Sequence, residues 1–377
     1  MHITANIHSL AIVTTLVSGL ALAQTGGPAA AQSEGPVAGG PAANATNDGP
    51  FKTQSWDAHG RIATSRYAIE RVTYQSGGTE IVGNLFTPAG SDRKPAMVII
   101  GPVTSVKEQS PIQYASRLVR EGYVTLIFDP RYHGESGGEP RGHESGAAKV
   151  EDLLAAIDFL AAREDVDPER ISILAICQGV NWGIEAATLD QRVQALAIVA
   201  GHYLTPEVAR MYLGDAVETR IRRSRESEVQ FKATGEVSYI PVVSAQPTPP
   251  DPMALLTAPP VHQYYIRWAD RGPLWNFHGL WENRITAMSE AAIWSHDVRP
   301  VMARLTTPTL MIHADRAASG PQIPRDLFET IPAARKELVW LGSQNQLQFY
   351  EDPITIDQVV PHVVRFFSSG ASRAELQ

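Results

Sequence analysis

Cys177 is the only cysteine in the 377-residue chain, and it sits where a nucleophile would be useful. The local run is Ile171-Ser172-Ile173-Leu174-Ala175-Ile176-Cys177-Gln178-Gly179. An apolar, strand-like stretch ends there in small-x-Cys-x-Gly, and a helical pattern follows from Val180 to Leu189. Strand, sharp turn and helix place a thiol at a helix N-terminus. Unpaired N–H groups and the helix dipole favour the thiolate at that point and draw its pKa towards neutrality. A thiolate so placed can attack a carbonyl carbon. The competing reading of a lone cysteine is a small buried hydrophobe.

The elements around this turn alternate. Arg71–Gln75 and Glu80–Phe86 read as two strands joined through Ser76-Gly77-Gly78. Ala96–Ile100 reads as a buried strand, Ile112–Glu121 as a helix, Val124–Phe128 as a strand and Ala148–Ala162 as an amphipathic helix. After the Cys177 turn come a strand at Ala195–Ala200 and another at Thr309–His313. A helix at Arg325–Ile331, a strand at Glu337–Leu341 and a closing helix at Ile356–Phe367 complete the series. Such alternation predicts a mostly parallel, twisted sheet with helices on both faces. Functional groups then belong at the carboxyl ends of the strands.

Residues 204–298 break this rhythm and are too long for an ordinary connection. They hold an arginine cluster (Arg220, Arg222, Arg223, Arg225), a proline run, and the aromatic residues Tyr264, Tyr265, Trp268, Trp275, Phe277 and Trp281. We read them as a mainly helical cap over the strand ends. The arginines read as a solvated helix face. The aromatics read as packing of the cap, with pocket lining as the alternative.

A hydrophobic content of 44% and a charged content of 19% are those of a globular domain with a large core. The net charge of −8 argues against a nucleic-acid partner. One cysteine excludes a disulfide framework and a cysteine-rich zinc site, and no metal or cofactor motif is present. Residues 1–23 hold an apolar run, Leu10 to Ala23, with small-residue cleavage patterns, and read as an export signal without a preceding Lys or Arg. Residues 24–50 are rich in Gly, Ala, Pro, Ser and Asn and read as a disordered linker. The expected location is secreted or periplasmic, with no membrane partner after cleavage.

Four stretches together resemble the α/β-hydrolase superfamily, in its dienelactone-hydrolase-like and X-prolyl-peptidase-like branches. They are Gly101–Gln109, Phe128–Gly138, Ala175–Gly179 and Thr309–Asp352. The resemblance implies an α/β-hydrolase fold, with residues 65–203 and 299–370 as its core and 204–298 as the inserted cap. It implies Cys177 as nucleophile at the nucleophile elbow. It also implies an oxyanion hole from backbone N–H groups of Gln178 and of Val103 or Thr104, and Asp315 as the acid.

The chain departs from that pattern where the family keeps its histidine. Gly342-Ser343-Gln344-Asn345-Gln346 holds none, and Asn345 or Gln346 stands in its place. Neither amide can accept and return a proton. Among other histidines, His202 follows the strand Ala195–Ala200, His133 lies on the turn after Val124–Phe128, and His313 ends its own strand; His262, His278 and His296 fall in the cap. Without a base, a thiol still serves substrates with good leaving groups: thioesters, enol or aryl esters and strained lactones. Two functions follow. One is a Cys-dependent hydrolase or acyl transferase on small activated esters, thioesters or lactones. The other is a catalytically degenerate ligand-binding protein of the same fold.

Overall fold

The computed structural model describes residues 61–269 and 281–371. The export signal and linker expected over residues 1–50 lie outside the described residues, as do Trp275, Phe277 and His278. Eleven strands occur among the described residues: β1 Arg61–Ala63, β2 Tyr67–Ser76, β3 Thr79–Pro88, β4 Lys94–Ile100, β5 Val124–Phe128, β6 Val166–Ile176, β7 Val193–Val199, β8 Tyr239–Ile240, β9 Ile285–Thr286, β10 Thr309–His313 and β11 Lys336–Trp340. The helices are α1 Ser110–Leu118, α2 Gly146–Ala161, α3 Gly179–Leu189, α4 Pro206–Leu213, α5 Val217–Thr234, α6 Pro259–Ala269, α7 Ser289–Trp294, α8 Arg299–Met302, α9 Gln322–Thr330, α10 Gln348–Glu351 and α11 Pro353–Ala371.

Nine strands form one sheet in the order β1-β2-β3-β5-β4-β6-β7-β10-β11. β1, β2 and β3 pair antiparallel, as do β3 and β5. From β5 to β11 every pairing is parallel. Ala96–Ile100 and Val124–Phe128 are buried throughout, as strands covered by helices on both faces must be. The β2–β3 hairpin turns on Gly77 and Gly78, both at positive φ, which a two-residue hairpin loop requires. The chain runs from β4 outward to β5, then crosses back over β4 to β6. The order therefore reverses between β4 and β6, and the loop after β4 and the turn after β6 emerge side by side at that switch point.

The segment between β7 and β10 holds α4 to α8 and the small antiparallel pair β8–β9. Thr205 caps α4 by accepting from the N–H of Val208 at 3.2 Å. One expectation fails here. Arg220 is not on a solvated face: it is 5% exposed. Its Nε donates to Glu290 of α7 at 2.7 Å, and its guanidinium also donates to the carbonyls of Pro252 and Ala254. It joins α5, α7 and the proline run, whereas Arg222, Arg223 and Arg225 are exposed.

Candidate active site

Cys177 stands between β6 and α3 with φ 56°, a left-handed conformation that costs a non-glycine residue strain. Its N–H donates to Val199 in β7 at 3.1 Å, and its carbonyl accepts from His202 at 3.0 Å. The next glycine is required by close approach: a Cβ at Gly179 would lie 2.4 Å from the carbonyl oxygen of Gly101. Asn181, fully buried, bonds the carbonyls of Gln178 (2.8 Å) and His202 (3.0 Å) and accepts from Leu204 (3.0 Å). It fixes the turn to the chain leaving β7, a role that its sequence position does not reveal.

The sulfur lies in an aromatic enclosure and Cys177 is 5% exposed. The side chains of Tyr350 and Gln346 and the backbone of Gln178 lie beside the sulfur and favour its charged form. Tyr212, Tyr264 and Tyr265 also lie close enough to interact with it electrostatically. Burial pushes the thiol up to about 11, and these neighbours and Lys149 only partly oppose that rise. This corrects the expectation of a thiolate near neutrality. The helix terminus does act on the sulfur, but desolvation is the larger effect.

Gln346, rather than Asn345, stands at the thiol. Its Oε1 accepts from the N–H of Ala318 at 2.7 Å. Its Nε2 donates to the carbonyl of Ala200 at 2.9 Å and to the hydroxyl of Tyr350 at 3.1 Å. Asn345 instead acts locally. Its Oδ1 accepts from the N–H groups of Leu347 and Gln348, a local side-chain turn that leads into α10. Asp315 is not brought to Gln346. It is exposed, and its Oδ1 accepts from the indole N–H of Trp340 at 2.9 Å. The expected pairing of this acid with the family's histidine position is absent because the Ala318 N–H occupies the far side of Gln346.

The loop after β4 is similarly specific. The N–H of Thr104 donates to Glu144 Oε2 at 3.1 Å and is engaged there, which removes one of the expected oxyanion donors. The carbonyl of Val103 accepts from Tyr265 at 3.3 Å, and the indole of Trp281 donates to Thr104 Oγ1 at 3.3 Å. Burial opposes the charge on Glu144, yet Lys149 and His133 hold its carboxyl down at about 2. Deeper in the loop, Lys107 is 1% exposed and its ammonium meets Glu108, Asp129 and Glu135 at 2.9, 2.7 and 2.6 Å. Asp129 Oδ1 accepts from the Lys107 N–H at 2.8 Å. This network binds the loop after β4 to the turn after β5. A Cβ at Gly134 would strike Asp129.

His133 Nε2 faces Glu144 Oε2 at 3.2 Å. His202 packs against Tyr212 at 4.9 Å with the rings tilted by 39°, and burial lowers its pKa to about 4. His313 packs against Trp340 at 5.4 Å and is also lowered to about 4 by burial. His296 lies on Trp182 at 4.8 Å. Of the cap aromatics, Tyr264 and Tyr265 line the thiol enclosure while packing on each other at 5.1 Å, so packing and lining are one role.

Known proteins agree with this architecture. The dienelactone hydrolase family matches residues 81–216. An uncharacterized Pseudomonas aeruginosa protein is 31% identical over 325 residues, covering 81% of this chain and 83% of its own. The crystal structure of a hypothetical protein from Pseudomonas aeruginosa superimposes with a TM-score of 0.69 at 27% identity, covering 84% of this chain and 98% of that one. A polyketide transferase of Penicillium crustosum is 29% identical over 285 residues, covering 73% of this chain and 90% of its own. A thiohydrolase of Eupenicillium brefeldianum is 28% identical over 278 residues, covering 72% and 85%. A strained strand-to-helix turn at the switch point of a mostly parallel sheet and these relatives give one answer: the chain belongs to the α/β-hydrolase superfamily, in its dienelactone-hydrolase-like branch of ester-acting hydrolases.

Proposed function

We propose that this protein transfers acyl groups from small thioesters or activated esters through Cys177, to water or to an acceptor alcohol. The observation that carries the reading is the conformation of Cys177. Its φ of 56° is a strained conformation at the turn from β6 into α3, and it sets the sulfur beside the backbone of Gln178. Two N–H donors at the developing oxyanion, Gln178 and Val103, would supply the electrostatic stabilisation that acyl transfer needs. The names of two relatives, a thiohydrolase and a polyketide transferase, support a thioester and a transferable acyl group. The four tyrosines around the sulfur favour a compact acyl chain.

The test is intact-protein mass spectrometry after mixing with a short-chain aryl thioester. The expected result is a single acyl adduct, lost in Cys177→Ala, with a burst of released thiol equal to the protein present. Turnover that survives Cys177→Ala would exclude the reading. A second reading, a binding protein without turnover, is favoured by one observation: Gln346 stands where a base would be needed. Thermal stabilisation by short acyl esters with no adduct in the wild-type chain would select it.

A further inference from the structure

Three buried side chains around the Cys177 turn carry polar atoms with no hydrogen-bond partner among the described residues. They are Gln178 Oε1, His202 Nε2 and the Tyr264 hydroxyl, on residues 1%, 3% and 2% exposed. Each comes to the turn from a different element. Gln178 follows Cys177 directly. His202 lies just past β7, and its N–H donates to the Cys177 carbonyl at 3.0 Å. Tyr264 belongs to α6, and its ring packs on Tyr350 at 5.1 Å. The Tyr350 hydroxyl accepts from Gln346 Nε2, which also donates to the Ala200 carbonyl. Ala200 is the neighbour of Val199, whose carbonyl accepts from the N–H of Cys177.

The other polar groups at this turn are matched. Asn181 bonds the carbonyls of Gln178 and His202 and the N–H of Leu204. Gln346 uses both ends of its amide, and the Tyr265 hydroxyl donates to the Val103 carbonyl. Buried polar atoms are paired as a rule, because the water they lose must be replaced. An apolar acyl chain would leave Gln178, His202 and Tyr264 unmatched. Their chemistry says what would match them. The Tyr264 O–H needs an acceptor, and the Gln178 carbonyl oxygen needs a donor. Burial keeps His202 neutral at pH 7, so its Nε2 needs a donor in one tautomer and an acceptor in the other. A substrate carbonyl only accepts. A hydroxyl donates and accepts, and it meets all of these atoms.

We propose that the enclosure at Cys177 selects acyl groups that carry a hydroxyl near the reacting carbonyl, with Gln178, His202 and Tyr264 as the specificity-determining side chains. This rests on the acyl-transfer reading above and narrows its substrate class to hydroxyacyl thioesters and esters. Gln178 adjoins the nucleophile and His202 is one hydrogen bond from its backbone, which places the hydroxyl within the first carbons of the acyl group rather than at a distant end. An alkanoyl group of equal length buries the same carbons but leaves the polar atoms unpaired. Sites built to hydrogen-bond a substrate hydroxyl reject the analogue that lacks it.

The experiment compares kcat/KM for the 2-hydroxybutyryl, 3-hydroxybutyryl and butyryl thioesters of one aryl thiol. The wild-type chain should prefer the better hydroxyacyl thioester over the butyryl thioester by at least about tenfold. A smaller preference overturns the proposal, and the three atoms are then met by water. In Tyr264→Phe and in His202→Leu, each checked for folding by thermal denaturation, the preference should shrink by about fivefold, the size of one hydrogen bond. A merely structural role would slow both kinds of substrate alike and leave their ratio unchanged, and an unchanged ratio in both variants overturns the assignment to these side chains. Calorimetric Kd values for the same thioesters on Cys177→Ala should show the same order, with no dependence on turnover. Equal Kd values there overturn the proposal. A wild-type chain that forms no Cys177 adduct with any of the three overturns the acyl-transfer reading, and the Kd ratio then decides the hydroxyl preference by itself.

Discussion

Thr104 gives its backbone N–H to Glu144 Oε2 at 3.1 Å, and the same carboxylate receives Lys149 and faces His133. The Glu144 N–H in turn donates to Ser289 Oγ of α7 at 2.9 Å. One buried residue thus ties the oxyanion loop, α2 and the segment between β7 and β10 together. Glu144→Gln keeps the shape but leaves the Lys149 ammonium buried without its counter-charge. Breaking a buried pair in this way costs about 3–5 kcal/mol. Urea unfolding should show a lower midpoint with an unchanged slope. A loss below about 1 kcal/mol would mean that Lys149 finds another partner.

The thiol should alkylate slowly. Cys177 is 5% exposed and its pKa is pushed up to about 11 by burial. At pH 7.5 its thiolate fraction is about two orders of magnitude below that of a free cysteine near 8.5. Iodide needs no proton to leave, so alkylation depends on the thiolate fraction. Iodoacetamide labelling of the native chain should therefore be at least about 100-fold slower than after unfolding, and should accelerate with pH. Rapid native labelling at neutral pH would mean that the enclosure opens.

The sequence revealed the elements that repeat and hid the contacts that do not. β5 and β10 match their expected bounds, and β4, β7, β11 and α3 differ by one or two residues, because apolar runs between turn residues define them. The Cys177 turn was equally legible, since small-x-Cys-x-Gly states its own steric need. The thiol's environment was not. Tyr350 and Gln346 sit on one short stretch after β11, where the absence of histidine was visible but the orientation of the two side chains was not. The pairing of Asp315 with Trp340 likewise depends on how β10 and β11 register, which no local pattern encodes. Desolvation of the sulfur depends on tyrosines from α4, α6 and α10 that converge only in three dimensions.

Acid should destabilise the protein in a defined window. His202 and His313 have folded-state pKa values of about 4, against about 6.5 in an unfolded chain. The unfolded chain therefore binds protons first. Stability from these two groups is complete above pH 6.5 and is lost as pH falls towards 4. Each contributes on the order of 3 kcal/mol by linkage. Glu144, held at about 2, withdraws its share only below the ordinary carboxylate range. Unfolding free energy measured from pH 8 to 4 should fall most steeply below pH 6.5, and His313→Gln should flatten part of that fall. A stability that is constant down to pH 5 would contradict the burial of both imidazoles.

Restoring histidine at position 346 should not restore a base. In a Cys–His–Asp relay the imidazole nitrogen near the nucleophile is unprotonated and the far nitrogen donates to the acid. Here the far side of residue 346 meets the N–H of Ala318, and the Asp315 carboxylate is turned out to Trp340. An imidazole in the Gln346 position would accept from Ala318 with its far nitrogen, and the Ala200 carbonyl would also favour a donor. Its proton would then lie on the nitrogen facing Cys177, the tautomer that cannot take the thiol proton. Gln346→His would in addition lose the hydrogen bond that Gln346 Nε2 donates to the Tyr350 hydroxyl. We expect aryl-thioester turnover in Gln346→His to fall rather than rise. We expect Asp315→Asn to stay within about twofold of wild type, and the double variant to match Gln346→His alone, as uncoupled sites do. A gain of tenfold or more in Gln346→His that disappears on adding Asp315→Asn would show that the 314–320 loop can turn the carboxylate inward and rebuild the triad.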